Sequence, residues 1–484
     1  MLKHEKNRTV LALSNVCRLW HYNITSCKRL FCDIAFDVSE ESIVTAGVFL
    51  KMLEGATVPI RVYASLGQSP HPDLMVTKLF ARLRPHIPYI VHFEYDGDMA
   101  GYRSHLDNPA PNLLFFSDGF DTYPGTGPPL FRGQMPGLRA LTTLSPAPQI
   151  VWTTSPLSNL TVLNLGFLGM EASVPLSSFL GLLRGSPRLE SVNVHCFMPV
   201  VNHNEALQDV PLPRLHTLTL QHNEFHTILK YLTIPNVRRI FFCGASYPVS
   251  GEELNPTFEA AHLFAGLPPL PIFQQPVEIL HVETTGDGRT NADFRICLVA
   301  DGGFVFQVSL FWISDAVPLF DDYLNHSIIR LIKTISLAPQ AHVRLYLAYL
   351  APLDIPIYQL FFPVTEINDL TIRGGFAVDV LNKLTVRAGS QLLLPYLKLL
   401  NIVDRLPFPD EEGRKVLSSC LQSRATGHVR LSIRLMDAEV LCTDFDKSGY
   451  VVKRGFRKRP NALFVSPELI CRRCGRRSLC HNYF

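Results

Sequence analysis

The segment "LSNLTVLNL", Leu157–Leu165, contains a short pattern of apolar residues from which a fold can be predicted. Leu160 is followed after two residues by Leu163, and after one more by Leu165. The last two leucines alternate along a strand and face one way, while the first closes the turn that enters it. Since a single strand cannot bury this face, the segment predicts a strand that stacks against others of the same design.

The same pattern returns along the chain, often after a proline. Its other copies are "IPYIVHFEY", "APNLLFFSD", "MPGLRALTT", "SPRLESVNV", "LPRLHTLTL" and "IPNVRRIFF", followed later by "QPVEILHVE", "VTEINDLTI" and "LPYLKLLNI". From Ile90 to Val237, the first apolar residues of successive copies are 23, 25, 22, 29, 26 and 22 residues apart. These separations lie around the period of about 20–29 residues that leucine-rich repeats show.

Helical patterns stand between the copies. In "PLSSFLGLLRGSPRLESVNV" one helix face is formed by Leu176, Phe179, Leu180 and Leu183. Gly185 and Pro187 end this helix before the next strand. We predict the same order of helix, loop and strand at Phe225–Leu232 and Val378–Leu384.

The predicted fold class is α/β: an irregular leucine-rich-repeat solenoid in which short parallel strands alternate with helices, preceded by a small helical segment. A doubly wound α/β domain is the alternative, since it also alternates strands and helices. The pattern blurs between Val282 and Ile367, where we predict strands at Val305–Phe311 and Val343–Leu347. The stretch "TTGDGRTNAD", 284–293, is predicted to be a loop.

Ahead of the repeats, an apolar stripe at near-helical spacing predicts one amphipathic helix. The stripe consists of Val10, Leu13, Val16, Cys17 and Trp20. A second short helix is predicted to begin near Thr25 or Ser26 and to include Leu30 and Phe31. The alternating residues Cys32, Ile34 and Phe36 then predict the first strand.

This N-terminal arrangement, and especially "LSNVCRLWHYNITSCKRLFCDI", resembles the second half of an F-box of the kind found in large fungal families. The residues that match the family's pattern are Val16, Cys17, Arg18, Trp20, Leu30, Phe31 and Ile34. The family's F-box normally begins with an upstream helix that carries a Leu-Pro motif, and Met1–Thr9 contains no such motif. In that family a divergent leucine-rich repeat region follows the F-box.

The resemblance implies a role in ubiquitin transfer. An F-box docks on the Skp-type adaptor of a cullin-RING ligase, while the repeats hold an as yet unidentified protein target. On this basis the expected adaptor-binding residues are Leu13, Val16, Cys17 and Trp20. The expected domains are a partial F-box-like segment at 1–36, a solenoid at 37–450 and a basic, cysteine-containing tail at 451–484.

Two alternatives assign the chain to other functional classes. A free-standing repeat scaffold would use the N-terminal helices only to cover the open end of the solenoid, because terminal repeats need capping. An enzyme on an α/β fold would need a deep polar pocket with converging titratable groups. The sequence holds no nucleophile elbow and no dinucleotide fingerprint, so we expect neither enzymatic activity nor a cofactor.

Clusters of cysteine and histidine are candidate metal ligands. The most suggestive set is Cys471, Cys474, Cys480 and His481, whose adjacent last ligands and five-residue gap match no common zinc finger. His222 and His226 lack a carboxylate between them, and Gly125–Gly127 lacks the lysine of a phosphate-binding loop. We therefore predict no metal site.

Charge and cysteine usage bear on location. The chain has a net charge of +3 and 11 cysteines, most of them scattered singly, which favours reduced thiols. Val451–Phe484 is basic, and its run Lys453–Pro460 lacks interleaved aromatics, so we do not expect base-specific nucleic-acid binding. Met1–Arg8 does not resemble a secretory signal, and prolines and acids interrupt the apolar stretches. We expect a protein of the cytoplasm, the nucleus or both, without a membrane span.

Overall fold

A computed structural model describes most of the chain. The described residues are 2–67, 74–97, 100–118, 130–143, 157–166, 173–195, 198–200, 207–221, 228–246, 270–286, 291–313, 335–347, 367–373, 377–385, 394–403, 411–425 and 432–436. The fold is α/β with mostly parallel strand pairing. Two compact units divide the chain, with unit 1 comprising Met1–Gly244 and Gly266–Pro271 and unit 2 the remainder.

Unit 1 begins with helices and continues as a parallel sheet whose strands follow chain order. Its helices are α1 (Leu2–Ser14), α2 (Arg18–Ser26), α3 (Glu40–Met52), α4 (Leu74–Leu83) and α5 (Leu176–Arg184). Its main strands are β1 (Asp33–Asp37), β2 (Ile60–Gly67), β3 (Ile90–Gly97), β4 (Phe115–Asp118), β5 (Ala140–Thr143), β6 (Val162–Gly166), β8 (Ser191–His195), β11 (Thr217–Gln221) and β13 (Arg239–Ser246). Short accessory strands are β7 (Ser173–Pro175), β9 (Met198–Val200), β10 (Val210–Pro211) and β12 (Leu232–Thr233).

The register of this sheet follows the sequence period. The second apolar residues of successive copies are cross-strand partners, in the order Phe93, Phe116, Leu141, Leu163, Val192, Leu218 and Ile240. The first apolar residues, which close the turns, are at most 1% exposed: Ile90, Leu113, Leu138, Leu160, Leu189, Leu215 and Val237. The pattern therefore predicted both the strands and the side of the sheet that holds the core.

Three asparagines in the turns bond their copy of the pattern to the copy before it. Their side-chain amides donate to proline carbonyls of the preceding turn: Asn112 to Pro88 at 2.8 Å, Asn159 to Pro136 at 2.9 Å and Asn236 to Pro213 at 2.7 Å. At Gly137 the turns approach so closely that a Cβ atom would lie 2.8 Å from the Pro111 carbonyl oxygen. The turns thus form a packed layer of their own.

Helix predictions in the repeats are confirmed where the chain is described. Helix α5 buries Leu176, Phe179, Leu180 and Leu183 and is capped at Gly185, as predicted. In Phe225–Leu232, residues 225–227 lie outside the described residues, Ile228 and Leu229 are helical, and Leu232 instead begins strand β12.

Unit 2 mixes parallel and antiparallel pairing. Its elements are β14 (Val277–Gly286), β15 (Asn291–Ala300), β16 (Phe304–Ile313), β17 (Leu337–Leu347), β18 (Asp369–Arg373), α6 (Ala377–Leu384), β19 (Leu399–Val403), α7 (Glu411–Ala425) and β20 (Ser432–Met436). Strands β14, β15 and β16 form an antiparallel meander, whereas β14, β17, β18, β19 and β20 pair in parallel. The predicted strands at Val305–Phe311 and Val343–Leu347 and the helix at Val378–Leu384 are confirmed.

The loop predicted at 284–293 is wrong at both ends. Strand β14 continues to Gly286 and β15 starts at Asn291, so the two strands pair through most of this stretch. The sequence was misleading because its polar and glycine residues are typical of loops, whereas cross-strand pairing extends both strands. None of the helices that the structure describes combines the length and apolar character needed to cross a membrane.

Candidate interaction surfaces

Helix α1 covers the edge of the unit 1 sheet. The side chain of Asn7 is 2% exposed and reaches the edge strand β1. In the amide orientation that pairs both atoms, Nδ2 donates to the Asp33 carbonyl at 3.1 Å and Oδ1 accepts from the Ala35 N–H at 3.3 Å. Val10 is also buried. Because an exposed edge strand offers unpaired backbone groups, α1 acts as the cap of this sheet.

The single helix predicted over Val10–Trp20 is wrong. Bonds of the tighter i to i−3 type close α1, from the Asn15 N–H to the Ala12 carbonyl at 3.1 Å and from the Val16 N–H to the Leu13 carbonyl at 3.2 Å. Cys17 is extended, with φ −160° and ψ 170°, and precedes the first residue of α2. The apolar spacing continued through this break, so the sequence pattern did not reveal it.

Helix α2 buries none of its residues. The exposed fractions are 38% for Leu13, 63% for Val16, 65% for Leu19, 44% for Trp20 and 69% for Tyr22. Single exposed apolar residues are ordinary, but a run of large ones indicates an interaction site. We call these five residues the α2 surface.

The predicted adaptor-binding residues Leu13, Val16, Cys17 and Trp20 are all exposed, and all but Cys17 belong to the α2 surface. Trp20 therefore does not serve as a lid over the sheet; α1 covers that edge.

The other residues of the F-box resemblance divide into two groups. Arg18 and Leu30 are exposed, whereas Phe31 and Ile34 are at most 1% exposed. The ring of Phe31 meets that of Phe49 on α3 edge-on, with centroids 5.0 Å apart. Phe31 and Ile34 therefore belong to the core of unit 1 and are not available to a partner. Leu30 and Phe31 lie in a short 3-10 helix, Lys28–Phe31, rather than in a helix that starts at Thr25.

A second surface lies on the sheet face opposite the core of unit 1, which we call the polar face. On β2, β3 and β4 it carries three aromatic rings in contact. The centroids of Tyr63 and His92 are 4.9 Å apart, and those of His92 and Phe115 are 4.2 Å apart with planes only 5° from parallel. His92 Nε2 lies 3.1 Å from Glu94 Oε2. We call this row the aromatic lane.

Carboxylates surround the aromatic lane. The polar face carries two carboxylates on β1, Asp33 and Asp37, and two on β3, Glu94 and Asp96. It also carries the guanidinium of Arg61 on β2. Arg61 is itself paired with Asp33 at 3.6 Å. The lane is thus an acidic part of a chain whose overall net charge is +3.

On β5, β6 and β8 the same face carries asparagine and threonine side chains in place of carboxylates. Asn164 Nδ2 donates to Thr142 Oγ1 at 3.0 Å, and Asn193 Nδ2 donates to Asn164 Oδ1 at 2.9 Å. These bonds cross β5, β6 and β8 at register positions that match Glu94 and Ser117 in the earlier strands. The polar face therefore changes from acidic and aromatic to amide-bearing.

Sequence reasoning missed the aromatic lane. The signal was present, because His92 and Phe115 each precede the second apolar residue of their copy and so face away from the core. An alignment of the copies at this position would have shown that His92 and Phe115 are neighbours. Tyr63 could not have been found in this way, because it lies before the first recognised copy.

The remaining chemical candidates are placed as follows. Four of them lie outside the described residues: the cluster of Cys471, Cys474, Cys480 and His481, the pair of His222 and His226, the turn Gly125–Gly127 and the basic run 453–460. Within the described ranges no group of His, Cys, Asp and Glu could hold a metal ion. Burial raises the pKa of the Cys297 thiol to about 12, so this cysteine is protonated at neutral pH and a poor nucleophile.

Comparisons with protein-family models, with curated proteins and with solved structures find no match to this chain.

Proposed function

We propose that the chain is a leucine-rich-repeat solenoid that binds a protein target and presents it to a cullin-RING ubiquitin ligase. In this proposal the α2 surface docks on a Skp-type adaptor. The observation that carries it is the exposure of Val16 and of Leu19, Trp20 and Tyr22 on α2, a helix with no buried residue. The resemblance of the same segment to an F-box names the adaptor.

The energetics favour a partner on the α2 surface. Burying a large apolar side chain contributes about 1.5–3 kcal/mol, and aromatic residues dominate the energetics of most interfaces. Helix α1 lies directly before α2 and is fixed to β1 through Asn7. An adaptor docked on α2 would therefore be held close to the first strands of unit 1.

The repeat assignment has its own support. From β3 to β13 the main strands of unit 1 pair in chain order at a period of 22–29 residues, and each turn bonds to the preceding one. Such stacking is how repeat proteins build long surfaces from units that could not fold alone. The proposed role is binding without a reaction of the chain's own, in the cytoplasm or nucleus.

The test is a pull-down of a purified Skp-type adaptor with the full chain. The double variant Leu19→Ser with Trp20→Ala should lose binding by at least tenfold, because two exposed apolar anchors are removed. Leu74→Ser is the matched control, since Leu74 is 67% exposed on α4 and outside the α2 surface. Equal adaptor binding by wild type and the double variant would contradict docking through α2.

Cysteine labelling provides a second readout of the same contact. Cys17 is exposed and follows Val16 directly, so a bound adaptor should slow its alkylation. Unchanged alkylation in the presence of saturating adaptor would place the contact elsewhere.

The second candidate function is a free-standing repeat scaffold. It is favoured by the observation that α1 alone caps the edge strand, through Asn7 and Val10, so the sheet needs no adaptor to be complete. A chain that is folded and fails to bind the adaptor would support this alternative.

A further inference from the structure

We infer that the aromatic lane binds an extended, arginine-bearing basic segment of a protein target. The inference rests on the proposed target-binding role and names the chemistry of the target. It starts from the contact of Tyr63, His92 and Phe115 across three neighbouring strands and from the carboxylates that flank them.

The lane is a surface feature and not part of the core. The His92 side chain is 22% exposed, Tyr63 and Phe115 are partly exposed, and Asp96 is exposed. The opposite side of the same strand carries Phe93, which is fully buried. Aromatic residues stacked on the solvent side of a strand offer apolar area that the fold itself does not require.

Charge complementarity selects the occupant. On the described residues of β1 to β4, this part of the polar face carries the carboxylates of Asp33, Asp37, Glu94 and Asp96 and the guanidinium of Arg61. The amide-bearing part of the face, around Asn164 and Asn193, offers no such charge. A partner drawn to the lane is therefore cationic.

The combination of rings and carboxylates favours arginine over lysine. A guanidinium is planar, stacks on aromatic faces and pairs with a carboxylate through two parallel hydrogen bonds. The ammonium of lysine is a compact, strongly hydrated charge that gains less from stacking. We place the arginine side chain against the Tyr63 ring, with Asp96 as its exposed carboxylate, because Asp96 pairs with Ser65, two residues beyond Tyr63 on β2.

The size of the lane suits an extended segment. Neighbouring strands are about 4.8 Å apart, so three strands span about 10 Å, which is the length of about three extended residues. One arginine with its neighbours would cover the lane, and further basic residues would meet the carboxylates of β1.

The experiment uses the full chain and fluorescein-labelled peptides measured by anisotropy. The probes are an alternating Arg-Ser octapeptide, the same peptide with Lys for Arg, and the same peptide with Glu for Arg. We expect the arginine peptide to bind several-fold more tightly than the lysine peptide, to weaken as salt rises, and the glutamate peptide not to bind.

Two variants test the lane. Asp96→Asn and Tyr63→Leu should each weaken the arginine peptide by roughly three- to tenfold, the range expected for one charge pair or one stacked ring. Glu190→Gln is the control, because Glu190 is an exposed acid of unit 1 in the turn before β8, away from the lane. Thermal melting of each variant confirms that it is folded.

The outcomes separate this inference from the proposed function. Equal binding of arginine and lysine peptides, or equal weakening by Glu190→Gln, would overturn the lane as an arginine site. Adaptor binding measured on the same Asp96→Asn sample should equal that of wild type. Weakened peptide binding with retained adaptor binding is the expected result for this variant. Adaptor binding without any peptide binding by wild type would overturn the inference and leave the proposed function in place.

Discussion

The apolar residues of the repeats and those of the α2 surface look alike in the sequence, but the fold gives them opposite environments. Leu163 and its register partners are buried on one side of the sheet. Leu19 and Tyr22 are 65% and 69% exposed. The difference shows that an apolar stripe in the sequence does not by itself tell what covers it. In the repeats a neighbouring strand covers the stripe, whereas on α2 no part of the described chain does.

Changing Leu163 to aspartate should have the largest effect. Leu163 is fully buried on β6, so Leu163→Asp would place a carboxylate in the core without a partner. We expect the free energy of unfolding to fall by about 4 kcal/mol, measured by urea denaturation. Leu19→Asp makes the same change on the α2 surface and should leave the free energy within about 0.5 kcal/mol of wild type. Equal unfolding curves for the two variants would contradict the contrast.

A smaller loss is expected where two turns approach each other. Gly137→Ala would bring a Cβ atom 2.8 Å from the Pro111 carbonyl oxygen, a backbone atom that cannot rotate away. We expect a loss of about 1–3 kcal/mol in the free energy of unfolding. Gly181→Ala is the matched control, since Gly181 lies in α5 with nothing within 4 Å and helix propensity favours alanine. A neutral Gly137→Ala would indicate that the turns are not closely packed.

The cap on the edge strand can be tested through Asn7. Asn7→Ala removes the amide that pairs with the Asp33 carbonyl and the Ala35 N–H. We expect a loss of about 1–2 kcal/mol, measured by chemical denaturation, with faster hydrogen exchange at Ala35. Asn23→Ala, at an exposed position of α2, should change neither quantity. Unchanged exchange at Ala35 in the Asn7 variant would show that α1 does not cap β1.

A buried histidine should give unit 1 a dependence on pH. His86 is 6% exposed, and burial lowers its pKa from the ordinary value of 6.5, while Glu54 opposes part of this shift. As the pH falls, His86 therefore takes up a proton in the unfolded chain before it does so in the folded chain. Stability that is present above about pH 6.5 is lost as the pH falls towards the lowered pKa. Between about pH 7.5 and 5.5 the free energy of unfolding should fall less in His86→Phe than in wild type, as measured by denaturation at both pH values. An equal fall in the two proteins would contradict the role of His86.

The α/β class and the strand register from β3 to β13 were predictable because the sequence pattern is local and periodic. Residues such as Leu160 and Leu163 occupy the same two positions in each copy, and stacking makes each position a register partner of the next. The break between α1 and α2 was not predictable, since the apolar spacing runs through Val16 and Cys17 and the helix ends through backbone bonds. The apolar pattern alone does not show where backbone hydrogen bonds change from the i to i−4 type to the i to i−3 type.

The α2 surface and the aromatic lane also differ in how far they could be predicted from the sequence. Leu13, Val16 and Trp20 of the α2 surface were predicted as partner-binding because one short segment of sequence resembles an F-box, whereas Leu19 and Tyr22 were not predicted. The aromatic lane was missed because Tyr63, His92 and Phe115 come together only through the pairing of β2, β3 and β4. Long-range register brings together residues that no local pattern connects.

The smallest effect on stability, and the sharpest form of the comparison, is expected on α2 itself. The double variant Leu19→Ser with Tyr22→Ser removes two large apolar side chains, which in the repeats would cost several kcal/mol. On α2 we expect a change in the free energy of unfolding within about 0.5 kcal/mol, since neither side chain is buried. Binding of an apolar fluorescent dye to the folded chain should fall in the same variant, because exposed apolar area has been removed. A clear loss of stability would mean that α2 packs against its own chain, and the apolar residues of α2 would then need no partner.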